Sequence, residues 1–84
     1  MNKTDKINKI KVELHDDCVI WIYRGKQHRD DDLPAIIYAD GRKEWYCDGK
    51  LHRDGDLPAV IYANGRKEWY QHDIQYLPAQ YEYT

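Results

Sequence analysis

The stretch PAIIYADGRKEWY, residues 34–46, decides how this chain folds. It is an apolar, β-branched and aromatic run, then Asp40-Gly41, then a second run ending in Trp45-Tyr46. An Asp-Gly pair between two such runs is a strong short-range hairpin signal, because both residues tolerate the positive φ of a type I′ turn. A two-residue turn there predicts Tyr38 opposite Lys43 and Ile36 opposite Trp45 on one face. Ala35 with Tyr46, and Ile37 with Glu44, then share the other face. Pro34 stands at a strand start, where a missing N–H costs least.

The same chemistry returns 24 residues later. Residues 25–48 and 49–72 are identical at 18 of 24 positions, and Asn64-Gly65 takes the place of Asp40-Gly41. This is a duplication, and a period of this length marks a repeat array. The repeat fades at both ends. Trp21 and Gly25 lie one period before Trp45 and Gly49, so residues 10–24 form a degenerate first copy. Leu77-Pro78-Ala79 matches Leu57-Pro58-Ala59 at a spacing of 20, so residues 73–84 form a shortened last copy. Atypical end copies suit units that must cap a stack. Residues 48–57 are polar and turn-rich and are read as the connection between hairpins. The expectation is a single all-β domain over residues 1–84, an antiparallel meander of about six or seven short strands in one twisted sheet. One helical turn is conceivable over residues 3–10, where Ile7 and Ile10 have the right spacing.

Composition bounds the rest. A chain of 84 residues is one domain with a modest core. It has 3 Trp and 8 Tyr but no Phe, a bias toward aromatics with a polar tip. Thirteen basic against fifteen acidic residues give a net charge of -2, which supplies no general pull toward nucleic acid or anionic membranes. No apolar run approaches a membrane span and no signal peptide is visible. Cys18 and Cys47 occupy non-equivalent places in the repeat and neither lies in a CxxC. They are read as reduced thiols, which places the protein in the cytoplasm.

Tyr38 with Gly41, Trp45 with Tyr46, and Gly49-Lys50 with His52 resemble the MORN-type repeat and its variants, built from hairpins at a similar period. The pattern W-Y-x-x-G-x-x-H-R-x-x-x-x-P-A is more similar still to repeats in small proteins of bacteriophages and large DNA viruses. The resemblance covers roughly residues 10–81. Arg29 and Arg53 stand where the MORN pattern often has Gly, and DLPA is not part of it. The resemblance implies a β-hairpin array with a scaffold or partner-binding role, and it supplies no catalytic residues.

The triplets His28-Arg29-Asp30 and His52-Arg53-Asp54 are the candidate binding residues. His-Arg-Asp also opens the catalytic loop of protein kinases, but the Gly-rich loop, strand Lys and DFG of a kinase are missing, and a motif used twice in 84 residues points to structure. No catalytic residue is assigned. In one reading the loop satisfies itself, the Arg bonding the Asp a few residues on (Asp32 or Asp56) and stacking on a Trp. In the other, the two loops lie side by side and grip a carboxylate, a phosphate or a partner protein. The spacing of His28 and His52 matches no familiar ligand motif, so neither a metal nor a cofactor is assigned. Trp21, Trp45 and Trp69, with Tyr46 and Tyr70, are read as an aromatic spine.

These features point to a non-enzymatic protein-binding module, phage or viral, acting on a host protein in the host cytoplasm as an inhibitor of an enzyme or defence system. The alternatives are a binder of an anionic metabolite or nucleotide through the His-Arg loops, and an antitoxin or immunity-type protein. A lone sheet with two apolar faces and an unblunted last strand, AQYEYT (residues 79–84), also predicts a homodimer.

Overall fold

The computed structural model describes residues 9–81. It is all-β, with no α-helix among the described residues. Each repeat is built on one long strand path that serves two hairpins. β2 (Cys18–Tyr23) pairs through its first half with β4 (Ile36–Tyr38) and through its second half with β3 (Lys26–Gln27). β5 (Lys43–Glu44) and β6 (Tyr46–Cys47) are the next such path, interrupted at Trp45. β5 pairs with β4 and with β8 (Val60–Ile61), and β6 pairs with β7 (Lys50–Leu51). β9 (Lys67–Gln71) pairs with β8 and then with β10 (Ile74–Tyr76). β1 (Ile10–Leu14) runs along β2.

The result is an eight-stranded antiparallel sheet in the order β1-β2-β4-β5-β8-β9-β10, with β3 also on β2, and a two-stranded ribbon of β6 and β7. The meander of hairpins is as expected, and among the described residues it comprises ten short strands, eight in the main sheet and two in the ribbon, in place of about six or seven in one sheet. The extra pieces come from the presumed connection, whose first residues form a second hairpin in every unit. These second hairpins turn at Arg24-Gly25, Asp48-Gly49 and His72-Asp73, and both residues of each pair have positive φ. That is the type I′ geometry that suits two-residue turns. Gly49 N–H donates to Gln27 C=O and Asp73 N–H to Leu51 C=O, both at 2.9 Å, which ties the second hairpins into a row.

Asp40-Gly41 and Asn64-Gly65 turn differently. Gly41 N–H donates to Tyr38 C=O and Tyr38 N–H to Arg42 C=O, so the loop has three residues, and only its glycine has positive φ, 102°. This is a type I turn followed by a glycine bulge. Asp40 and Asn64 serve it by accepting the N–H of Arg42 and Arg66 through their side chains, each at 2.9 Å. The longer loop moves the register by one residue. Ile37 faces Lys43 and Ile36 faces Glu44, in place of the pairing of Ile36 with Trp45.

That register puts small residues between large ones. Ala35 bonds through its N–H to Glu44 C=O, Trp45 N–H to Ala59 C=O, and Trp21 N–H to Ala35 C=O. The ladders therefore align Trp21, Ala35, Trp45, Ala59 and Trp69 in one row across the sheet. Ala35 and Ala59 are wholly buried, and Trp45 and Trp69 are each 7% exposed. Alternating an indole with a methyl along the row keeps two large rings from standing directly opposite each other, as close packing requires. Tyr46 and Tyr70 do not join it. They turn to the opposite face, where their hydroxyls donate to Glu44 and Glu68 at 3.2 Å.

The expected last strand is a 3-10 turn at Ala79–Tyr81, and residues 82–84 fall outside the described residues. Of the conceivable helical turn, residues 3–8 also lie outside them, and Ile10 opens β1.

Candidate functional site: the groove between the repeated loops

Residues 28–34 and 52–58 leave the second hairpins and fold back over the Trp face. Trp45 Nε1 donates to Asp32 C=O at 3.0 Å and Trp69 Nε1 to Asp56 C=O at 2.9 Å. Each loop can bend this way because two consecutive residues take positive φ, Asp31 and Asp32 in one, Gly55 and Asp56 in the other. Asp is among the few residues that enter this region cheaply.

Each arginine then covers the preceding tryptophan. The Arg29 guanidinium lies 3.7 Å from the Trp21 ring centroid and Arg53 lies 3.9 Å from that of Trp45. Both also donate through Nη1 to the carbonyl of Pro34 or Pro58, at 3.2 and 3.1 Å. Stacking on an aromatic face leaves the in-plane N–H groups free for such bonds. The carboxylate partner of Arg53 is Asp32 from the previous loop, held at 2.8 Å through Nε and 3.2 Å through Nη2. The self-satisfied loop is thus realised between copies, not within one. The Arg53 guanidinium holds the Asp32 carboxyl below its ordinary pKa.

The last copy makes both contacts with tyrosines. Tyr76 Oη donates to Asp56 at 3.2 Å, where Arg53 would meet Asp32, and the Tyr81 ring lies 4.8 Å from Trp69. Sequence reading missed both residues, because the shortened terminal spacing hides their correspondence to the earlier loops.

The histidines are fastened in one tautomer. His28 Nδ1 accepts the N–H of Asp48 at 3.1 Å, which leaves Nε2–H to donate to Asp30 at 2.8 Å. His52 repeats this with His72 N–H at 3.3 Å and Asp54 at 2.8 Å. These bonds tie each loop to the turn of the next second hairpin.

All six expected residues line one groove of about 370 Å³: His28, Arg29 and Asp30 from one loop, His52, Arg53 and Asp54 from the other, with Trp45, Tyr46 and Cys47 between them. Asp31, Asp32 and Gly55 complete it. Asp30, Asp31, Asp32 and Asp54 set four carboxylates against the two guanidiniums. Both cations are engaged by carbonyls and rings, so the outward-facing chemistry of the groove is acidic. The Cys47 thiol is pushed up in pKa by burial and by Asp48, Asp54 and Asp30, which makes it a poor nucleophile near neutral pH. Cys18 and Cys47 are both free thiols. Among the described residues no group of three or more His, Cys, Asp or Glu is placed to hold a metal ion, and no helix is long and apolar enough to cross a membrane.

Comparison with protein families, with curated proteins and with solved structures finds no match.

Proposed function

We infer that the protein is a non-enzymatic binding module that offers its paired loops as one surface to a partner protein. The observation that carries this is the groove itself: two copies of one loop are fastened side by side by the Arg53–Asp32 bond and by the Trp stacks. A surface held in this way loses little conformational entropy on binding. The acidic lining, four carboxylates around two guanidiniums that lie over Trp rings and donate to carbonyls, favours a protein that presents Lys or Arg there over a small anion. The similarity of the repeats to those of phage and large-virus proteins supports a host protein as the partner, met in the host cytoplasm. Inhibition of a host enzyme or defence system, or an antitoxin-like neutralisation, would follow from occupying such a partner.

Capture from the native host with wild-type protein and with an Asp31→Asn/Asp54→Asn variant tests this reading. Both carboxylates are exposed, and Asn still tolerates the Asp31 backbone. A partner bound by the wild type and lost with the equally stable variant supports the inference. Undiminished capture by the variant overturns it. Stabilisation by nucleotides or inorganic phosphate that disappears in Arg29→Ala would establish the anion-binding alternative instead.

A further inference from the structure

The two edges of the sheet are not alike. β10 is three residues long and runs into buried Pro78 and a 3-10 turn, which blunts it. β1 is five residues long, and among the described residues nothing pairs with its outer side. His15 N–H donates to Cys18 C=O and Arg24 N–H to Lys9 C=O, which fixes the parity of the ladder. Lys11 and Glu13 direct their backbone groups inward to β2, while Ile10, Val12 and Leu14 direct theirs outward. The same three carry exposed side chains, at 43%, 45% and 79%.

We propose that β1 is a self-complementary docking edge, and that a second copy of this chain pairs with it antiparallel about a twofold axis at Val12. The parity allows three registers with useful overlap, centred on Lys11, Val12 or Glu13. The first sets Lys11 against the partner's Lys11, and the last sets Glu13 against the partner's Glu13. Like charges directly opposite are destabilising. The central register alone sets Lys11 opposite the partner's Glu13 in both directions. It also pairs Ile10 with the partner's Leu14, and Val12 with its own copy, and it gives the longest overlap. An isologous contact needs exactly such a palindrome of chemistry. Lys11 and Glu13 already lie 3.4 Å apart within one chain, so the dimer gathers two pairs into an alternating cluster. Val12 stands opposite Trp21, so the join extends the Trp–Ala row from one sheet into the next.

A strand-edge contact is small, so a weak dimer in the micromolar range is expected. Sedimentation equilibrium on the full chain tests it. Glu13→Lys alone and Lys11→Glu alone each place like charges opposite and should weaken the dimer about tenfold or more. The double exchange Lys11→Glu/Glu13→Lys should restore it. An equimolar mixture of the two single variants should form the heterodimer. Val12→Pro removes an outward N–H and no bond to β2, so it should abolish pairing while the fold persists by circular dichroism. A single 10.1 kDa species for the wild type at about 100 μM, or a dimer indifferent to both charge reversal and Val12→Pro, overturns the proposal.

Discussion

Arg53 and Asp32, 21 residues apart, form a two-point ion pair at 2.8 and 3.2 Å whose guanidinium also lies over the Trp45 ring, 3.9 Å from its centroid. The pair joins consecutive copies of the repeat, so it acts as a rivet between units. Arg53→Ala removes the ion pair, the bond to Pro58 and the cover over Trp45. It is expected to cost about 2 kcal/mol, most of it from the stack and the partly buried carbonyl bond, because the exposed Asp32 partner is well screened. Arg53→Lys should recover little, since an ammonium cannot make the fork or the planar stack. Arg29 has the stack and the carbonyl bond but no carboxylate partner among the described residues, so Arg29→Ala should cost less. Urea denaturation of the three variants checks the order.

The same pair predicts an acid response. Asp32 has its pKa lowered from an ordinary 3.8, first by the hydrogen bond from Arg53. A depressed carboxyl stabilises the fold fully above the unfolded value, and that contribution is lost as pH falls through the folded one. The thermal stability of the wild type should therefore fall below about pH 4. Asp32→Asn should be less stable at neutral pH and lose less on acidification. Parallel melting curves for the two proteins across that range would refute the link.

Trp45 and Ala59 test the row from its two sides. Trp45→Ala empties a site that is 7% exposed and should cost about 3–5 kcal/mol, enough to unfold a domain this small. Ala59→Val adds bulk between Trp45 and Trp69, where the alanine is wholly buried, and should cost about 1–3 kcal/mol by overpacking. Chemical denaturation of both variants is the measurement, and an unchanged midpoint for Ala59→Val would mean that the row has slack.

The hairpin array was legible because Trp21, Trp45 and Trp69 repeat every 24 residues and the turn chemistry repeats with them. The turn class was not, since Asp40-Gly41 suits a two-residue type I′ turn and a three-residue turn with a glycine bulge equally well. Only the ladder decides, and it sets Tyr38 against Arg42. Equal spacing places His28, Arg29 and Asp30 at the same height in the array as His52, Arg53 and Asp54, and all six line one groove. Their bonding was hidden. Three successive acids, Asp30, Asp31 and Asp32, are all within local reach of Arg29, and the sequence cannot say that Arg53 of the next copy takes Asp32. The sequence left two ways to cover the Trp face, the loops or a second chain, and the two polar loops cover it with arginine side chains and backbone carbonyls. A homodimer therefore no longer follows from a bare Trp face, and the case for one rests on the β1 edge.

Gly41 separates the two turn classes directly. Its φ is 102°, and a Cβ there would meet only Ala63 Cβ at 3.9 Å, so the cost of Gly41→Ala is backbone strain without a clash. About 1 kcal/mol or more is expected. Asp40→Ala removes only the side-chain bond to Arg42 N–H and should cost less. In a type I′ turn Asp40 would also need positive φ, and Asp40→Gly would then stabilise. Here Asp40→Gly should destabilise, by loss of the same bond and by added chain entropy.

The face opposite the tryptophans predicts an alkaline limit. Tyr46 and Tyr70 have their phenol pKa raised from 10.0, chiefly by burial and then by Glu44 and Glu68, whose carboxylates accept their hydroxyl protons. Ionising either ring would bury a phenolate beside a carboxylate and lose the hydrogen bond. A raised phenol stabilises the fold fully below the unfolded pKa of about 10, and the contribution disappears as pH rises through the folded value. Followed by absorbance at 295 nm, Tyr46 and Tyr70 should stay silent until the protein unfolds, and should then ionise together with the loss of the β-sheet circular dichroism signal. Tyr46→Phe/Tyr70→Phe removes the ionisable groups, so its stability should fall less steeply above pH 10, although it starts lower because Glu44 and Glu68 lose a donor each. If all eight tyrosines titrate in one step while the sheet remains intact, the phenol–carboxylate pairs do not form in solution.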